Sequence, residues 1–448
     1  MTANTSLWRV LCALAVVLGR SAGAQTDTSS KREPFAFADF TWLNGNSRQK
    51  TPLLSTTYFT GEFRVDATYI HHFSRPKDHT LVGTSESGRT GEVHLQQLGI
   101  GGDFHAGRAR GRLMTQFGMY SVMTPRSDPS PSRGQWNVND AYRYLAEAYG
   151  GYHWDALGGV NLDAGIFMSY VGLFSYYNFD NWAYQPSFVS SNTPWFFTGL
   201  RLQVFTSDRL KIEPWLVNGW QSYGMFNEAP GLGLQVLWRP NGAVSLLSNS
   251  YYGHDTMNNP RRRRLHSDNS LQVKYYDRPG AFLRRSAFSF TADAGCEQGG
   301  GVQCTGRDSL PAQYFLGLMA HHRTWFTDDR YALTLGGGVV TNPGRYLVLL
   351  PPVNGATASS GTPYFTANPG DEFRGWDATL TFDYMPDEYA TFRAEWNHRM
   401  ASVPYFAGRG GVTPPGGNTG PPGSVVTGFV PDLRKRETRL NLAMLIKF

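Results

Sequence analysis

Charged side chains recur at alternate positions in several stretches of this 448-residue chain. Between Phe59 and Tyr69, the charged residues Glu62, Arg64 and Asp66 alternate with aromatic and aliphatic residues. Successive side chains of a β-strand point to opposite faces, so this spacing places the charges on one face and the apolar groups on the other. Ionised groups of both signs need water or each other, and we therefore expect the charged face to line a wet interior.

The residues that alternation assigns to this interior carry both signs. They are Glu62, Arg64, Asp66, Arg110, Arg112, Arg201, Lys274, Asp377, Asp383, Arg393, Glu395, Arg399 and Arg439. Four more bring the tally to ten basic and seven acidic residues: Lys211, Glu213, Asp293 and Lys447. Charged rings bias which ions enter a pore, so the excess predicts a weak preference for anions, blunted by screening over about 8 Å at physiological salt. There are two alternatives. In one, the charges form ion pairs that only stabilise the wall around this interior. In the other, the pore is neutral and does not select between ions.

Motifs for catalysis, metal binding or cofactor binding are weak. The glycine-rich stretches 99–102 and 336–338 lie inside strand patterns with no helix after them, so they are interpreted as bends of a sheet rather than phosphate cradles. The adjacent histidines at 71–72 and at 321–322 point to opposite faces of a strand, so neither pair makes a two-ligand metal site. We expect no catalytic residue, no metal and no cofactor.

One histidine keeps an enzyme among the alternatives. His398 shares a face with Trp396 and Met400 and lies near Ser402. A serine beside a histidine on the outside of a barrel is the arrangement of a membrane-embedded lipid hydrolase. A polar residue at the membrane interface explains His398 equally well.

The segment from Glu437 to Phe448 shows the most regular alternation. One face carries Leu440, Leu442, Met444, Ile446 and Phe448. The other carries Arg439, Asn441, Ala443 and Lys447, and only Leu445 departs from the pattern. About a dozen residues is more than a soluble strand needs and is typical of a tilted membrane-spanning strand. The segment resembles the terminal strand of bacterial outer-membrane barrels, which implies recognition by the barrel-assembly machinery through Phe448.

Alternation predicts about sixteen strands, an even number, as in bacterial single-chain barrels. The predicted ranges are 59–69, 93–105, 109–121, 145–154, 159–171, 194–206, 209–221, 231–239, 243–254, 267–277, 284–294, 312–326, 330–341, 372–385, 389–401 and 437–448. Short connections alternate with long ones, which include 122–144, 172–193, 342–371 and 402–436. The pattern predicts an all-β fold: a transmembrane antiparallel up-and-down β-barrel with short periplasmic turns and long extracellular loops. A soluble sandwich or propeller gives no reason for this regular alternation.

The two ends of the chain and its composition agree with export to the outer membrane. Arg9, the apolar run 10–18 and the small residues 22–24 predict a signal peptide at 1–24, cleaved before Gln25. Residues 25–57 then form a periplasmic or barrel-mouth segment, and 58–448 form the barrel. No apolar run is long enough for a membrane helix. Lys and Arg are mostly spread singly through strand-like segments, so a nucleic-acid partner is not expected.

Three stretches carry a resemblance to a known family. They are 35–48, Asp78-His79-Thr80 and 176–184. Together they resemble the OmpL-like β-barrel porins over most of the mature chain. The resemblance implies the barrel fold and a general role as an outer-membrane channel.

The long connection 172–193 is dense in aromatic residues. Its candidate constriction residues are Tyr176, Tyr177, Phe179, Asp180, Trp182 and Tyr184. The loop can fold inward and narrow the bore, or its aromatic rings can belong to the outer girdle at the membrane interface. We favour inward folding.

Two other loops carry cysteines or arginines. Cys296 and Cys304 are expected in the loop that follows the strand ending near Ala294, and an exported chain predicts a disulfide between them. The arginines 261–264 are expected in another external loop, either as a solvated tip or in contact with the phosphates of lipopolysaccharide. Outer-membrane lipid and lipopolysaccharide are thus expected partners.

The last hairpin gives a prediction of strand register. If residues 386–388 form a three-residue turn, Met385 lies opposite Tyr389. Diagonal neighbours then bring Asp383 towards Arg393 and Asp377 towards Arg399. In this register Arg439 has no obvious acidic partner.

Together these patterns predict an outer-membrane porin for passive diffusion of small hydrophilic solutes, with a weak preference for anions. The lumen charge favours this function, because a barrel of about sixteen strands leaves an aqueous channel. The alternative is a surface-exposed binding or adhesion protein that uses the barrel as an anchor, which the long external loops favour. A membrane-embedded lipid hydrolase is the third possibility.

Overall fold

The computed structural model describes residues 33–84, 86–125, 128–306, 309–346, 372–415, 417 and 427–448. The predicted signal peptide, 1–24, lies outside the described residues. Sixteen strands form the wall: β1 (Phe59–His72), β2 (Val93–Ala106), β3 (Ala109–Thr115), β4 (Leu145–Trp154), β5 (Val160–Met168), β6 (Phe196–Phe205), β7 (Leu210–Val217), β8 (Gly231–Asn241), β9 (Val244–Gly253), β10 (Arg263–Asp277), β11 (Leu283–Gln298), β12 (Tyr314–Phe326), β13 (Tyr331–Thr341), β14 (Arg374–Tyr384), β15 (Ala390–Ala401) and β16 (Arg436–Lys447).

The sheet closes on itself. Each strand pairs antiparallel with the next in the chain, and β16 pairs with β1, with Arg439 opposite His72 and Lys447 opposite Arg64. A two-residue strand, Leu54–Ser55, adds a short pairing to β1 and is not counted in the wall. The predicted fold, an antiparallel barrel of sixteen strands, is confirmed.

The two faces of the wall follow the alternation of the sequence. On β16, Leu440, Leu442 and Met444 are exposed on the outer face, whereas Asn441 is fully buried on the inner face. An outer apolar band satisfies a lipid environment, and closure pairs the backbone of every strand. Leu445, the one large apolar residue on the inner side of β16, is fully buried because other segments of the chain pack against it from inside the barrel.

Helical structure is limited to short segments in the connections. Within the described residues these are α1 (Tyr120–Met123), α2 (Val138–Tyr142) and α3 (Phe188–Ser191), with 3-10 turns at Ser130–Ser132, Asn178–Asp180 and Pro343–Arg345. Two further short strands, Phe406–Ala407 and Leu433–Arg434, pair with each other. In the part of the chain that the structure describes, no helix combines the length and apolarity needed to cross a membrane.

Several strand ends differ from the predicted ones. β3 stops at Thr115 rather than 121, because Gly118 turns the chain with a φ of 91° just before α1. β5 and β7 also end earlier, at Met168 and Val217, where the chain leaves the wall for loops. β10 starts at Arg263 and β11 ends at Gln298, so both strands are longer than predicted. The two strands remain paired to these ends, where Arg263 lies opposite Gln298.

The predicted register of the last hairpin is wrong. β14 ends at Tyr384 and β15 begins at Ala390, so the connection is longer than the three-residue turn assumed. The carboxylate of Asp387 accepts hydrogen bonds from the amides of Tyr389 and Ala390 at 2.8 and 3.0 Å, which stabilises this wider turn. Asp383 therefore lies directly opposite Arg393, and Asp377 directly opposite Arg399.

The segment that precedes β1 lies inside the periplasmic mouth. The Trp42 side chain is fully buried, and its indole N–H donates to the carbonyl of Gly242 at 3.2 Å, in the turn between β8 and β9. The Phe35 ring packs edge-on against Phe205, at the periplasmic end of β6. The described part of the predicted segment 25–57 thus reaches into the barrel from the side of the short turns.

Candidate functional site

The connection between β5 and β6, residues 169–195, occupies the interior of the barrel, and we call it the inner loop. The backbone amides of Tyr184 and Gln185 donate to the two carboxylate oxygens of Glu395 on β15, at 2.6 and 2.9 Å. Asp66 on β1 accepts from the Tyr184 hydroxyl at 3.1 Å and from the Asn178 side-chain amide at 2.8 Å. Two wall carboxylates thus satisfy donors of the inner loop.

A third wall carboxylate holds the start of α3. Asp377 on β14 accepts from the Ser187 hydroxyl and the Phe188 amide, both at 2.8 Å. Two glycines on the inner face of the wall make room for this contact. A Cβ at Gly338 would lie 2.3 Å from the Ser187 hydroxyl oxygen, and one at Gly375 would lie 3.1 Å from the Phe188 ring. The inner loop therefore packs directly on the backbone of the wall.

Arginines of the wall also hold the inner loop, through an acidic side chain and carbonyl groups of the loop. Arg64 on β1 pairs with Asp180 at 3.1 Å. Arg393 on β15 donates to the carbonyl of Asn181 at 2.6 Å and to that of Asn178 at 3.3 Å. Loop amides donate to acids and loop carbonyls accept from arginines, so the wall supplies both kinds of partner that a desolvated backbone requires.

The inner loop is also joined to the segment before β1. The Trp182 amide donates to the side-chain oxygen of Asn44 at 2.8 Å, and the Gly45 amide donates to the carbonyl of Asp180 at 3.1 Å. Gly45 has a φ of 80°, and a Cβ there would lie 2.3 Å from the carbonyl oxygen of Leu173. Only glycine suits this close approach.

Two cavities border this junction. One, of about 490 Å³, opens at the periplasmic end and is bounded by Arg48, Trp182 and the turns 327–330 and 386–388. Another, of about 240 Å³, lies between the inner loop and the inner faces of β8, β9 and β10. Asn46 lines both cavities. The two segments inside the barrel therefore narrow the space between its two ends.

The predicted pore-lining residues divide into two groups. Those that contact the inner loop are Arg64, Asp66, Asp377, Arg393, Glu395, Arg399 and Arg439. Those engaged in ion pairs of the wall are Glu62, Arg110, Arg112, Arg201, Lys274 and Asp383. Ion pairs and hydrogen bonds to the inner loop therefore satisfy these charged groups of both signs inside the barrel.

One prediction about these charges is wrong. Arg439 was expected to lack an acidic partner, yet the carboxylate of Glu437 lies 3.1 Å from its guanidinium and also pairs with Arg399. Glu437 faces the interior because it has the same parity as Arg439 along β16, and the sequence pattern was sufficient to find it.

Other interior charges were missed in the same way. The acidic ones are Asp103, Glu147, Asp163, Asp268, Glu297 and Glu437, and the basic ones are Arg239, Arg264, Arg285 and Arg323. The acids outnumber the bases by two in this added set, so it reduces the positive excess of the sequence tally from three to one. Any ion selectivity must then depend on where charges lie, not on their sum.

The aromatic residues of the inner loop are buried inside the barrel. Tyr176, Tyr177, Phe179, Trp182 and Tyr184 all have little solvent exposure. Burial raises the pKa of the Tyr184 hydroxyl well above its usual range, which keeps it protonated and able to donate. The rings contact interior groups rather than the lipid-facing surface.

The cysteines and the arginine run differ from their predicted positions. Cys296 lies within β11 rather than in a loop, and it forms a disulfide with Cys304 in the connection that follows. Arg263 and Arg264 belong to β10, not to a loop. Arg264 is buried and pairs with Glu297 at 3.1 Å, because alternation turns it inward.

The serine and histidine proposed for a hydrolase do not meet. The ring of His398 shares a hydrogen bond of 2.8 Å with the Thr438 hydroxyl, whereas the Ser402 hydroxyl accepts from the amide of Arg374. Among the residues that the structure describes, no group of three or more His, Cys, Asp and Glu side chains could hold a metal ion.

Removing one carboxylate should release the inner loop. Asp377→Ala leaves the Ser187 hydroxyl and the Phe188 amide without an acceptor, at a cost of about 1–3 kcal/mol for each. We expect limited proteolysis of the folded variant to cut within residues 184–193 at least several times faster than in wild type. Asp155→Ala, at an exposed ion pair with Arg108 on the short turn after β4, is the matched control. Equal cleavage of Asp377→Ala and wild type would contradict this assignment.

The chain is similar to an anion-selective porin from Comamonas acidovorans (9% identity, TM-score 0.49, 87% of this chain and 99% of that chain). It is also similar to the outer membrane channel DcaP of Acinetobacter baumannii (11%, 0.48, 89% and 100%) and to Pseudomonas putida OprB at high pH (12%, 0.48, 87% and 94%).

The family of this chain is identified by its sequence. No match was found among curated proteins. A family model described as "Putative beta-barrel porin-2, OmpL-like" matches residues 59–420, which include fifteen of the sixteen wall strands. The chain therefore belongs to this OmpL-like family of outer-membrane β-barrel porins.

Proposed function

We propose that this outer-membrane channel passes small hydrophilic solutes by passive diffusion, with the inner loop as its constriction and with a weak preference for anions. The observation that carries the proposal is the set of contacts by which the wall holds the inner loop inside the barrel, through Glu395, Asp377 and Asp66. A sixteen-stranded barrel is wider than its side chains can fill. A loop fixed inside it narrows the bore while leaving cavities beside the loop.

A surface protein that uses the barrel only as an anchor is the second candidate. The same filled interior favours it, because two segments of the chain occupy the bore. An anchor protein differs from a channel in that no solute passes through its barrel. A lipid hydrolase at His398 is not proposed, because His398 and Ser402 bond to different partners.

Liposome swelling separates the two candidates. We expect vesicles containing the purified protein to swell in isotonic solutions of a pentose faster than in those of a disaccharide, and slowest in those of a trisaccharide, because the inner loop limits solute size. Protein-free vesicles provide the baseline. Swelling at the baseline rate with every sugar would support an anchor and contradict a channel.

Shortening the inner loop should widen the channel. Deleting residues 176–184 removes both loop donors to Asp66 and one of the two loop donors to Glu395, and water entering the wider bore then hydrates the freed carboxylate oxygens. We expect a higher single-channel conductance in planar bilayers. Circular dichroism and resistance to urea check that the barrel is intact. Unchanged conductance in a folded variant would show that the loop does not limit flow.

Ion preference should depend on individual positions in the bore. Arg110 on β3 points inward and pairs with Asp163 at 3.4 Å, whereas Arg108 lies two residues earlier on an exposed turn. In a salt gradient, the wild-type reversal potential should favour chloride modestly. Arg110→Glu should shift it towards cations, and Arg108→Glu should shift it less because bulk water and salt screen that site. A wild-type channel that prefers cations would contradict the proposed selectivity.

Export and surroundings complete the proposal. Residues 1–24 would direct the chain across the inner membrane and be removed, and β16 with Phe448 would be recognised by the barrel-assembly machinery. Arg261 and Arg263 are exposed and would contact lipopolysaccharide phosphates.

A further inference from the structure

The periplasmic cavity of about 490 Å³ contains a cluster of arginines, and its size is typical of a small-molecule site. Arg323 on β12 and Arg393 on β15 both pair with Asp383, each at 2.7 Å. Arg393 binds it in bidentate fashion, through a second bond of 3.0 Å. All three side chains are buried. One carboxylate therefore serves two guanidinium groups, which leaves a net positive charge.

Arg48 adds a third guanidinium to the same cavity. It donates to the carbonyls of Asp387 and Ala390 and, at 2.9 Å, to the hydroxyl of Thr391, all of them neutral acceptors. Among the described residues it forms no ion pair. Burial lowers the pKa of Arg48 to about 10, so it remains cationic at neutral pH. With Arg323, Arg393 and Asp383, the cluster carries three positive charges and one negative charge.

The acidic residues of the cavity do not neutralise this cluster. Asp180 pairs with Arg64, and Asp329 pairs with Arg285. The others lie on the periplasmic turns at the mouth: Asp328, Asp387 and Glu388. Asp328 and Asp387 are exposed, and Glu388 accepts hydrogen bonds from the amides of Lys50 and Thr51. The positive excess therefore lies at the inner end of the cavity.

Aromatic rings form the remaining wall. The Arg48 guanidinium lies 4.7 Å from the ring centre of Phe179, and that of Arg323 lies 5.1 Å from Trp325. Trp182 meets Trp325 edge-on at 5.5 Å. The rings hold the guanidinium groups in place and give the cavity an apolar side next to its basic one.

From this arrangement we infer a binding site for a small organic carboxylate with an apolar body. The arginine cluster would hold the carboxylate, since guanidinium groups match its geometry, and the rings of Phe179, Trp182 and Trp325 would contact the body. The inference rests on the proposed function, because it identifies a class of anion that the channel would pass. Arg48 is the key residue, because it belongs to the segment before the barrel and no carboxylate of the described residues pairs with its guanidinium.

Binding to the full-length protein in detergent tests this site without requiring an open channel. In isothermal titration calorimetry, benzoate should bind and benzamide, its uncharged counterpart, should bind at least tenfold more weakly. Inorganic phosphate should also bind more weakly than benzoate, because it gains nothing from the rings. Equal affinity for benzoate and benzamide, or phosphate binding as tight as benzoate, would overturn the assigned ligand class.

Variants assign the binding to Arg48. Loss of a charge-assisted hydrogen bond predicts a decrease of about tenfold to a hundredfold in benzoate affinity for Arg48→Gln. Arg48→Lys should retain part of the affinity, and Arg108→Gln, on an exposed turn outside the cavity, should match wild type. Wild-type affinity in Arg48→Gln, or no benzoate binding at all, would overturn the inference. Benzoate binding by a protein that fails to swell liposomes would contradict the channel function alone.

Discussion

The structure depends on hydrogen bonds between carboxylates of the wall and the backbone of the inner loop. A barrel of this width leaves a space that wall side chains do not fill, and a chain segment placed there has peptide groups that need partners. Glu395 and Asp377 accept from amides of the loop, while Arg393 donates to its carbonyls. Each such donor left without a partner costs about 1–3 kcal/mol, so the wall determines where the loop lies.

Pairing also determines how charge is distributed inside the barrel. Along most of the wall, acids and bases are matched, as where Glu437 lies between Arg399 and Arg439. The sum of the charges therefore says little about which ions pass. At the periplasmic end the matching is incomplete, because Asp383 is shared by two arginines and Arg48 bonds, within the described part of the chain, only to neutral groups. Selectivity in this protein is expected to be a local property.

The sequence predicted those features that follow from a period of two. Strand number, the two faces and the interior charges all come from alternation, since a strand in a barrel has one lipid face and one inner face. Leu445, which breaks the pattern, is buried against Phe179 and Tyr184 of the inner loop. Turn geometry is not periodic, so the register after Tyr384 was mispredicted. Arg48 was missed because its segment has no regular pattern and its partners lie more than 300 positions away.

The position of the inner loop is the central claim, and amide hydrogen exchange in lipid nanodiscs tests it most directly. The amides of Tyr184, Gln185 and Phe188 donate to buried carboxylates, so they should exchange at rates close to those of amides in the wall strands. The amide of Trp136, which is exposed in the connection between β3 and β4, provides the rapid reference. Exchange of the three loop amides as fast as that of Trp136 would contradict a loop held inside the barrel.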